Sequence, residues 1–208
     1  MRQRRPRVTV LQMLSISNAE SVEVGDRILA AAASCVRDFG AERVTLAEIA
    51  RRAGVSRPTV YRRWPDTRTI LAALLTDRIV GAWRAVPADG VGRAPLVARI
   101  VAVARRLRSD ELILTVLRSA PEIAVVYITG RLGTSQQILI DLVAGELRTA
   151  QADGSVRGGE PEDLAAMVLL IAQSVIQSGR IVEPILDTDA LSAELDRALN
   201  GYLRPWTT

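Results

Sequence analysis

The stretch that most constrains the fold of this chain is residues 45–64, TLAEIARRAGVSRPTVYRRW. It is predicted to form two short helices joined by a tight turn. Thr45 and Glu48 fit a capping box, in which each side chain satisfies a backbone N–H at the start of the first helix. Gly54 is predicted to end that helix, because glycine tolerates the positive φ angle of a helix terminus. Ser56 suits the N-cap of the second helix.

The second helix of this hairpin is predicted to present basic and polar side chains on its free face. Val60 and Trp64 are four residues apart and are expected to face inward. The residues left pointing outward are Arg57, Thr59, Tyr61, Arg62 and Arg63. Guanidinium groups reach guanine edges and phosphates, and hydroxyls bond phosphate oxygens, so this face fits a DNA major groove. The alternative is a solvated helical hairpin with an ordinary charged face.

Basic residues are concentrated in the first third of the chain. Residues 1–68 hold 13 arginines and 7 acidic residues, whereas residues 69–208 hold 14 arginines and 16 acidic residues. A basic N-terminal segment followed by a mildly acidic remainder is typical of a nucleic-acid-binding domain joined to a domain with a different function.

Composition favours a helical protein and argues against common catalytic chemistries. Hydrophobic residues make up 49% of the 208-residue chain but aromatic residues only 3%, a mixture that favours closely packed helices over β-structure. The chain contains no histidine and one cysteine, Cys35. We therefore expect no enzyme, no metal site and no other cofactor. Cys35 falls on an apolar helix face, where a buried thiol is expected, with a redox sensor as the other interpretation.

The fold is predicted to be all-α, with about nine helices. The predicted spans are 23–39, the two hairpin helices, 66–86, 95–107, 109–119, 121–150, 161–180 and 187–203. In the first span, apolar residues from Ile28 to Phe39 recur at helical spacing, and Phe39 is expected to wedge this helix against the hairpin. Residues 23–65 are expected to form a helix-turn-helix head, and a long fourth helix links it to a helical body, residues 66–208.

Residues 1–22 are predicted to be a basic, disordered arm. The arm begins MRQRRPR and continues with a short apolar stretch that lacks a small-residue cleavage site, so we expect no export and a cytoplasmic protein. Two interpretations stay open. The arm adds phosphate or minor-groove contacts, or the natural start is Met13 and residues 1–12 are a translation artefact.

The predicted helix over residues 161–180 is apolar around much of its circumference. Glutamines and serines between residues 173 and 178 interrupt the apolar run, which is too short and too polar to span a membrane comfortably. Such a helix requires burial on several sides. We therefore expect it to form a homodimer interface together with the amphipathic helix near 187–203.

Three segments resemble the tetracycline-repressor (TetR) family of bacterial transcriptional regulators in order, spacing and residue type. They are RILAAAASCVRDFG, VTLAEIARRAGVSRPTVYRRWPD and TILAALL, and together they cover roughly residues 27–75. The resemblance implies an all-helical homodimer whose first three helices bind double-stranded DNA and whose helices 8 and 9 form the dimer interface. It also implies a ligand pocket in the body, repression at an inverted-repeat operator, and release by a small molecule.

The resemblance further implies which residues contact DNA. By position they are Thr45, Arg57, Pro58, Thr59, Tyr61 and Arg62, and the outward-facing Arg63 joins them from the helix pattern. Thr45 and Tyr61 are expected on phosphates and Arg57 on bases. Many family members carry a phosphate-binding lysine one residue after the cap of helix 4; this chain has Thr67 there, and Arg68 is assigned that contact.

Candidate residues for the ligand pocket are Trp83, Tyr127, Arg131 and Gln137, because aromatic and polar groups in an aliphatic lining orient a ligand. Ordinary packing or a solvated position is the alternative for each of them. The aliphatic composition favours an apolar or amphipathic ligand. Three other functions stay open: a helix-turn-helix regulator that needs no ligand, a helical module that binds an acidic protein, and an enzyme with an acidic substrate.

Overall fold

The computed structural model describes residues 10–119 and 133–206, with side chains from residue 21 onward. Within these ranges every regular element is helical. The nine α-helices of the described ranges are α1 (Val10–Phe39), α2 (Leu46–Ala53), α3 (Arg57–Arg63), α4 (Thr67–Ala85), α5 (Arg93–Arg108), α6 (Glu111–Ser119), α7 (Thr134–Ala152), α8 (Pro161–Ser178) and α9 (Thr188–Leu203). Short 3₁₀ turns follow α1 and α8. The all-α fold predicted from the sequence is confirmed.

The chain divides into two compact units, and the division falls inside α4. The first unit ends at Leu74 and contains α1, α2, α3 and the beginning of α4; the second begins at Leu75 and contains the remaining helices. The boundary predicted at residues 65 and 66 lies at the start of the same helix.

Apolar side chains on the inner faces of three helices form the core of the first unit. Ile28, Cys35 and Val36 of α1, Ile49 of α2 and Val60 of α3 are fully shielded from solvent. α1 packs on α2, and α2 packs on α3. The helical spacing that predicted the buried face of α1 is confirmed at these positions.

Phe39 lies at the rim of this core rather than inside it. Its side chain is 36% exposed, and the guanidinium carbon of Arg52 lies 4.7 Å from the centre of its ring. Because α1 ends at Phe39, the ring sits where the packed face stops. The expected contact with α2 is therefore made through a cation–π interaction rather than by burial.

α1 begins at Val10, well before residue 23, where the apolar spacing placed its start. Residues 10–22 contain neither glycine nor proline, and several of them are good helix formers. The apolar period becomes regular only after this segment, so a criterion based on period missed it. Residues 10–22, which were expected to belong to a disordered arm, are the first part of α1 in the structure.

α7 begins at Thr134, so the single helix predicted over residues 121–150 is wrong in its start. Gly133 has an extended backbone, with a ψ of 164°, and its N–H donates to Oε1 of Gln136 at 2.8 Å. The side chain of Gln136 thus satisfies a backbone donor at the beginning of α7, as in half a capping box.

The second unit is built around α5, α7, α8 and α9. α7 packs beside α8, and α5 packs against both α8 and α9. The turn between α7 and α8 is tied to the end of α9, because Arg157 donates through its backbone N–H to the Leu203 carbonyl at 2.9 Å and through Nε to the Tyr202 carbonyl at 2.9 Å. These bonds close the unit around one aliphatic core.

α8 has one buried face and one exposed apolar face. Leu164, Ala165 and Val168 are buried, whereas Met167 and Leu170 are 42% and 59% exposed. We call Met167 and Leu170 the α8 strip. By length and composition alone, Pro161–Val182 would be able to cross a membrane, but its inner face packs on neighbouring helices of this unit.

Candidate nucleic-acid interface and ligand cavity

The helix-turn-helix predicted for residues 45–64 forms with the expected caps. Oγ1 of Thr45 accepts from the Glu48 N–H at 3.2 Å and begins α2. Gly54 ends that helix with a φ of 64°. Oγ of Ser56 accepts from the Thr59 N–H at 3.3 Å and begins α3. Local chemistry therefore defines both helix ends at the turn.

Glu48 differs from the capping-box prediction in what its carboxylate contacts. Instead of returning to the backbone of Thr45, it accepts from Nε and Nη2 of Arg51 at 2.8 and 2.7 Å and from Nε of Arg52 at 2.9 Å. The hydrogen bonds from Arg51 and Arg52 lower the pKa of Glu48 to about 2, because they favour the ionised carboxylate.

Arg52 connects α2 to α1. Its Nη1 donates to Oγ of Ser34 at 2.9 Å and pairs with the carboxylate of Asp38, while its guanidinium covers the Phe39 ring. With 19% of its side chain exposed, Arg52 supports the packing of the first unit.

Two further arginines of the hairpin region are also engaged within the protein. Nε of Arg43 donates to the Phe39 carbonyl at 2.9 Å. Nη2 of Arg63 donates to the backbone carbonyl of Ser21 at 2.6 Å and to its Oγ at 2.7 Å. Arg63, predicted to contact DNA, is thus turned toward α1.

The free face of α3 carries Arg57, Pro58, Tyr61 and Arg62, all of them exposed. In a helix these positions lie side by side, because residues four apart share a face. Within the described ranges no hydrogen bond or ion pair engages the side chains of Arg57 and Arg62. Two unpaired guanidinium groups and a half-exposed phenol are therefore available to a partner.

The other predicted DNA contacts flank this face. Thr45 is exposed at the start of α2, and Thr59 is half-buried with its hydroxyl 2.8 Å from that of Ser56. Arg68 is exposed in the first turn of α4.

Asp66 caps α4 by accepting from the Thr69 N–H at 2.7 Å, and the bonds from Thr69 lower the pKa of Asp66.

The second unit contains an apolar cavity of about 90 Å³. Leucine and isoleucine side chains from α4 to α8 line most of it, and a smaller cavity of about 40 Å³ shares Leu107, Leu139, Leu169 and Ile176 with it. The polar groups of the larger cavity include Gln136 and Gln173, which are joined by a hydrogen bond from Nε2 to Oε1 at 2.9 Å. No charged side chain of the described ranges lines either space.

Residues 28–74 match the family model for bacterial regulatory proteins of the tetR family. Two uncharacterised HTH-type transcriptional regulators, from Mycobacterium bovis and Mycobacterium tuberculosis, are each 63% identical to this chain over 191 residues. That alignment covers 92% of this chain and 100% of each mycobacterial protein. The chain belongs to the TetR family. It is a TetR-family transcriptional regulator with a DNA-binding helix-turn-helix.

Solved structures of TetR-family regulators share the fold. The transcriptional repressor QsdR of R. erythropolis has a TM-score of 0.67 at 19% identity, covering 89% of this chain and 98% of QsdR. RolR in complex with resorcinol has a TM-score of 0.66 at 14% identity, covering 89% of this chain and 90% of RolR. At these identities the likeness shows the fold alone.

Of the four residues predicted for the ligand pocket of this TetR-family regulator, Trp83 lines the smaller cavity and is 4% exposed. The guanidinium of Arg99 covers its ring at 4.2 Å and donates to its backbone carbonyl at 3.0 Å. Trp83 is thus also a packing residue. Tyr127 and Arg131 lie outside the described residues.

Gln137 points away from the cavity, and its neighbour Gln136 lines it. The exposed Gln137 side chain donates to Asp141 at 2.9 Å. One residue along an α-helix turns the side-chain direction by about 100°. An error of one position therefore names a side chain that faces solvent instead of the one that faces the cavity. Sequence reasoning also missed Gln173 and Gln177, although their four-residue spacing in an apolar helix was a usable signal.

Cys35, the one cysteine of this TetR-family regulator, is buried in the first unit. Burial raises the pKa of its thiol, so the protonated, apolar form is favoured. The prediction of a buried thiol is confirmed. Among the residues that the structure describes, no three histidine, cysteine, aspartate or glutamate side chains are placed to hold a metal ion.

Proposed function

We propose that this TetR-family regulator is a repressor that binds an inverted-repeat operator as a homodimer and is released by a small apolar or amphipathic molecule. The observation that carries the proposal is the free face of α3. Among the residues that the structure describes, Arg57 and Arg62 have no protein partner and are exposed, whereas Arg43, Arg51 and Arg52 are each held by neighbouring groups. A face of this kind is suited to a nucleic-acid partner.

In this proposal α3 lies in the major groove and reads base edges. Arg57 is at the first turn of α3, where recognition helices contact bases, and its fork of donors matches the acceptors of guanine. Tyr61 and Arg68 contact phosphates on either side, and the hydroxyl of Thr45 adds a phosphate contact from α2. Phosphate contacts set the position of the helix, and Arg57 supplies discrimination.

The α8 strip supports a homodimer. Met167 and Leu170 are apolar and exposed in the isolated chain, and a second copy related by a twofold axis would cover them with the same strip. Two α3 helices spaced about 34 Å apart then meet successive major grooves, and the twofold axis requires an inverted repeat.

The cavity of the second unit supports a small effector without charge. Burying an ionised group without a partner is costly, and the described lining offers leucine, isoleucine and amide groups. RolR, which shares the fold, binds resorcinol in its solved structure. An effector that binds better to the DNA-free conformation shifts the population toward that conformation. The size of the shift is limited by the difference between its affinities for the two conformations.

The test of DNA recognition compares Arg57→Ala with a matched arginine elsewhere. Fluorescence anisotropy is measured on a labelled duplex from the gene's own upstream region, with scrambled duplex as competitor, at two salt concentrations. Arg57→Ala is expected to lose about 1–3 kcal/mol of discrimination. Arg106→Ala, which removes an exposed arginine of α5, is expected to retain it. Wild-type binding that ignores sequence on this duplex and on genomic fragments would contradict the proposal.

The test of the effector uses the same complex. A neutral probe, benzyl alcohol, is titrated beside benzoate, and release of DNA is expected for the neutral compound alone. Leu139→Trp, which fills space that both cavities share, is expected to abolish release while DNA binding persists. Unchanged DNA binding with benzyl alcohol would favour the alternative of a ligand-independent helix-turn-helix regulator.

A further inference from the structure

We infer that Arg63 is a positioning residue of the recognition helix, which holds α3 against a notch in α1 and does not itself contact DNA. The notch consists of Ser21 and Gly25. The inference goes beyond the proposed function and rests on it in one respect, namely that α3 is the helix that reads bases.

The two partners of Arg63 belong to one turn of α1. Its Nη2 donates to the backbone carbonyl and to the hydroxyl of Ser21, at 2.6 and 2.7 Å. Hydrogen bonds from a guanidinium are charge-assisted and stronger than neutral ones. The contact spans 42 positions of sequence, so it fastens the end of α3 to a distant part of α1.

Gly25 makes room for the guanidinium. A Cβ at Gly25 would lie 2.8 Å from Nη1 of Arg63, closer than such contacts occur. A helical side chain leans toward the preceding turn and covers the carbonyl four residues earlier. The missing side chain of Gly25 therefore uncovers the carbonyl of Ser21, which has a second lone pair to accept the bond from Arg63. This explains a glycine in a helix interior, where it is otherwise unfavourable.

The location of Arg63 on α3 separates it from the free face. Arg62 is exposed, while Arg63 is half-buried, one residue and about 100° further around the helix. α3 has only seven residues, too few to be a stable helix alone. Ser56 caps its beginning, Val60 anchors its middle, and Arg63 holds its end. Arg63 thus fixes the rotation of the helix that carries Arg57 and Arg62.

Removing a positioning residue and removing a phosphate contact change the salt dependence of DNA affinity differently. Each phosphate contact that is lost reduces the slope of log affinity against log salt concentration by about 0.9. Loss of a positioning contact weakens binding, but the number of counterions released stays nearly the same. The slope therefore distinguishes the two roles, which affinity at one salt concentration does not.

The experiment measures anisotropy of the full-length protein at four salt concentrations, on a duplex that the wild type selects from a random pool. The variants are Arg63→Ala, Gly25→Ala, Arg62→Ala and Arg57→Ala. We expect Arg63→Ala to weaken binding about tenfold with the wild-type slope. Gly25→Ala displaces only the end of the Arg63 side chain and is expected to weaken binding less, again with the wild-type slope. We expect Arg62→Ala, the neighbouring exposed arginine, to reduce the slope by about 0.9.

Gly25→Ala is included to show that weaker DNA binding does not result from a loss of folding. Alanine is the better helix former, so circular dichroism and thermal melting are expected to show α1 retained while DNA binding falls. A reduced slope for Arg63→Ala, or wild-type affinity for Arg63→Ala, would overturn the inference. Retained discrimination by Arg57→Ala would instead contradict the proposed function, so the two failures are read from different variants.

Discussion

Six arginines lie between residues 43 and 63, and their surroundings separate them into two groups. Arg43, Arg51, Arg52 and Arg63 donate to groups of the protein, whereas Arg57 and Arg62 are exposed and have no partner in the described ranges. Residue type and helical position are similar in both groups. Arg43 and Arg51 donate to groups nearby in sequence, the Phe39 carbonyl and the Glu48 carboxylate. Arg52 and Arg63 also reach Ser34, Asp38 and Ser21 on α1, which lie far away in sequence and close in space.

The Glu48 carboxylate is expected to make the stability of the first unit depend on pH. Its pKa is about 2 in the folded protein and near 4.5 in its unperturbed state, so between these values the unfolded chain binds more protons and stability rises with pH. The contribution is complete above about pH 5 and is lost as the pH falls toward 2. Thermal melting of wild type and Glu48→Gln between pH 3 and 6 is the measurement.

The variant is expected to melt lower than wild type at pH 6, and the gap between them is expected to shrink toward pH 3. Glu42→Gln removes the charge of an exposed glutamate of the 3₁₀ turn after α1 and serves as the control. A gap that stays constant with pH would mean that the bonds from Arg51 and Arg52 do not favour the ionised carboxylate.

At the scale of elements, helix ends follow local chemistry and helix faces follow packing. Thr45, Gly54 and Ser56 define the turn between α2 and α3 as predicted. The start of α7 was missed, because only glycines, Gly130 and Gly133, interrupt the predicted span before Thr134, and no side-chain N-cap marks the beginning of the helix there. Choosing Gln137 instead of Gln136 is an error of the same kind, since a glutamine at either position satisfies the local pattern.

The turn between α2 and α3 is expected to depend on glycine at position 54. With a φ of 64° and nothing within 4 Å of an added Cβ, Gly54→Ala meets no steric clash and loses only the left-handed preference of glycine. We expect the free energy of unfolding to fall by about 1–2 kcal/mol, measured by urea denaturation.

Gly81→Ala is the matched control, because Gly81 lies in α4 with open space around an added Cβ. There alanine is expected to raise the free energy of unfolding by about 0.5–1 kcal/mol through better helix propensity. Equal effects of the two substitutions would show that backbone conformation is not what glycine provides at position 54.

At the scale of the whole molecule, the α8 strip is an apolar surface that the isolated chain leaves exposed to solvent. Exposed apolar patches mark interfaces in soluble proteins, and the strip lies on a helix whose opposite face is already buried against α5, α7 and α9. The proposed second copy gives the strip an apolar neighbour and gives the operator its symmetry.

Leu170→Arg is expected to convert the dimer to a monomer. A charge placed at the centre of an apolar twofold contact meets its own copy and loses water without gaining a partner. Light scattering after size-exclusion chromatography is expected to show half the mass, and affinity for the inverted repeat is expected to fall at least tenfold, because one half-site remains.

Val91→Arg is the control for this experiment, since Val91 is 68% exposed in the loop between α4 and α5 and is expected to leave mass and DNA binding unchanged. An unchanged mass for Leu170→Arg would place the dimer contact elsewhere on the chain.

The sequence by itself determined the helical class, the caps of α2 and α3, the buried face of α1 and the outward direction of Arg57, Tyr61 and Arg62. Each of these follows from residues within about one or two turns of one another, through helical period and local hydrogen bonding. The family also follows from such local order, because the matched segments are contiguous.

Tertiary structure alone decided that Arg52 reaches Ser34 and Asp38 on α1, that Arg63 turns toward Ser21 and Gly25, and that Gln136 rather than Gln137 faces the cavity. These outcomes depend on groups brought together from opposite ends of the first unit, or on the rotation of one helix against four others. No local pattern encodes a hydrogen bond across 42 positions, because the chain between its ends must fold before donor and acceptor meet.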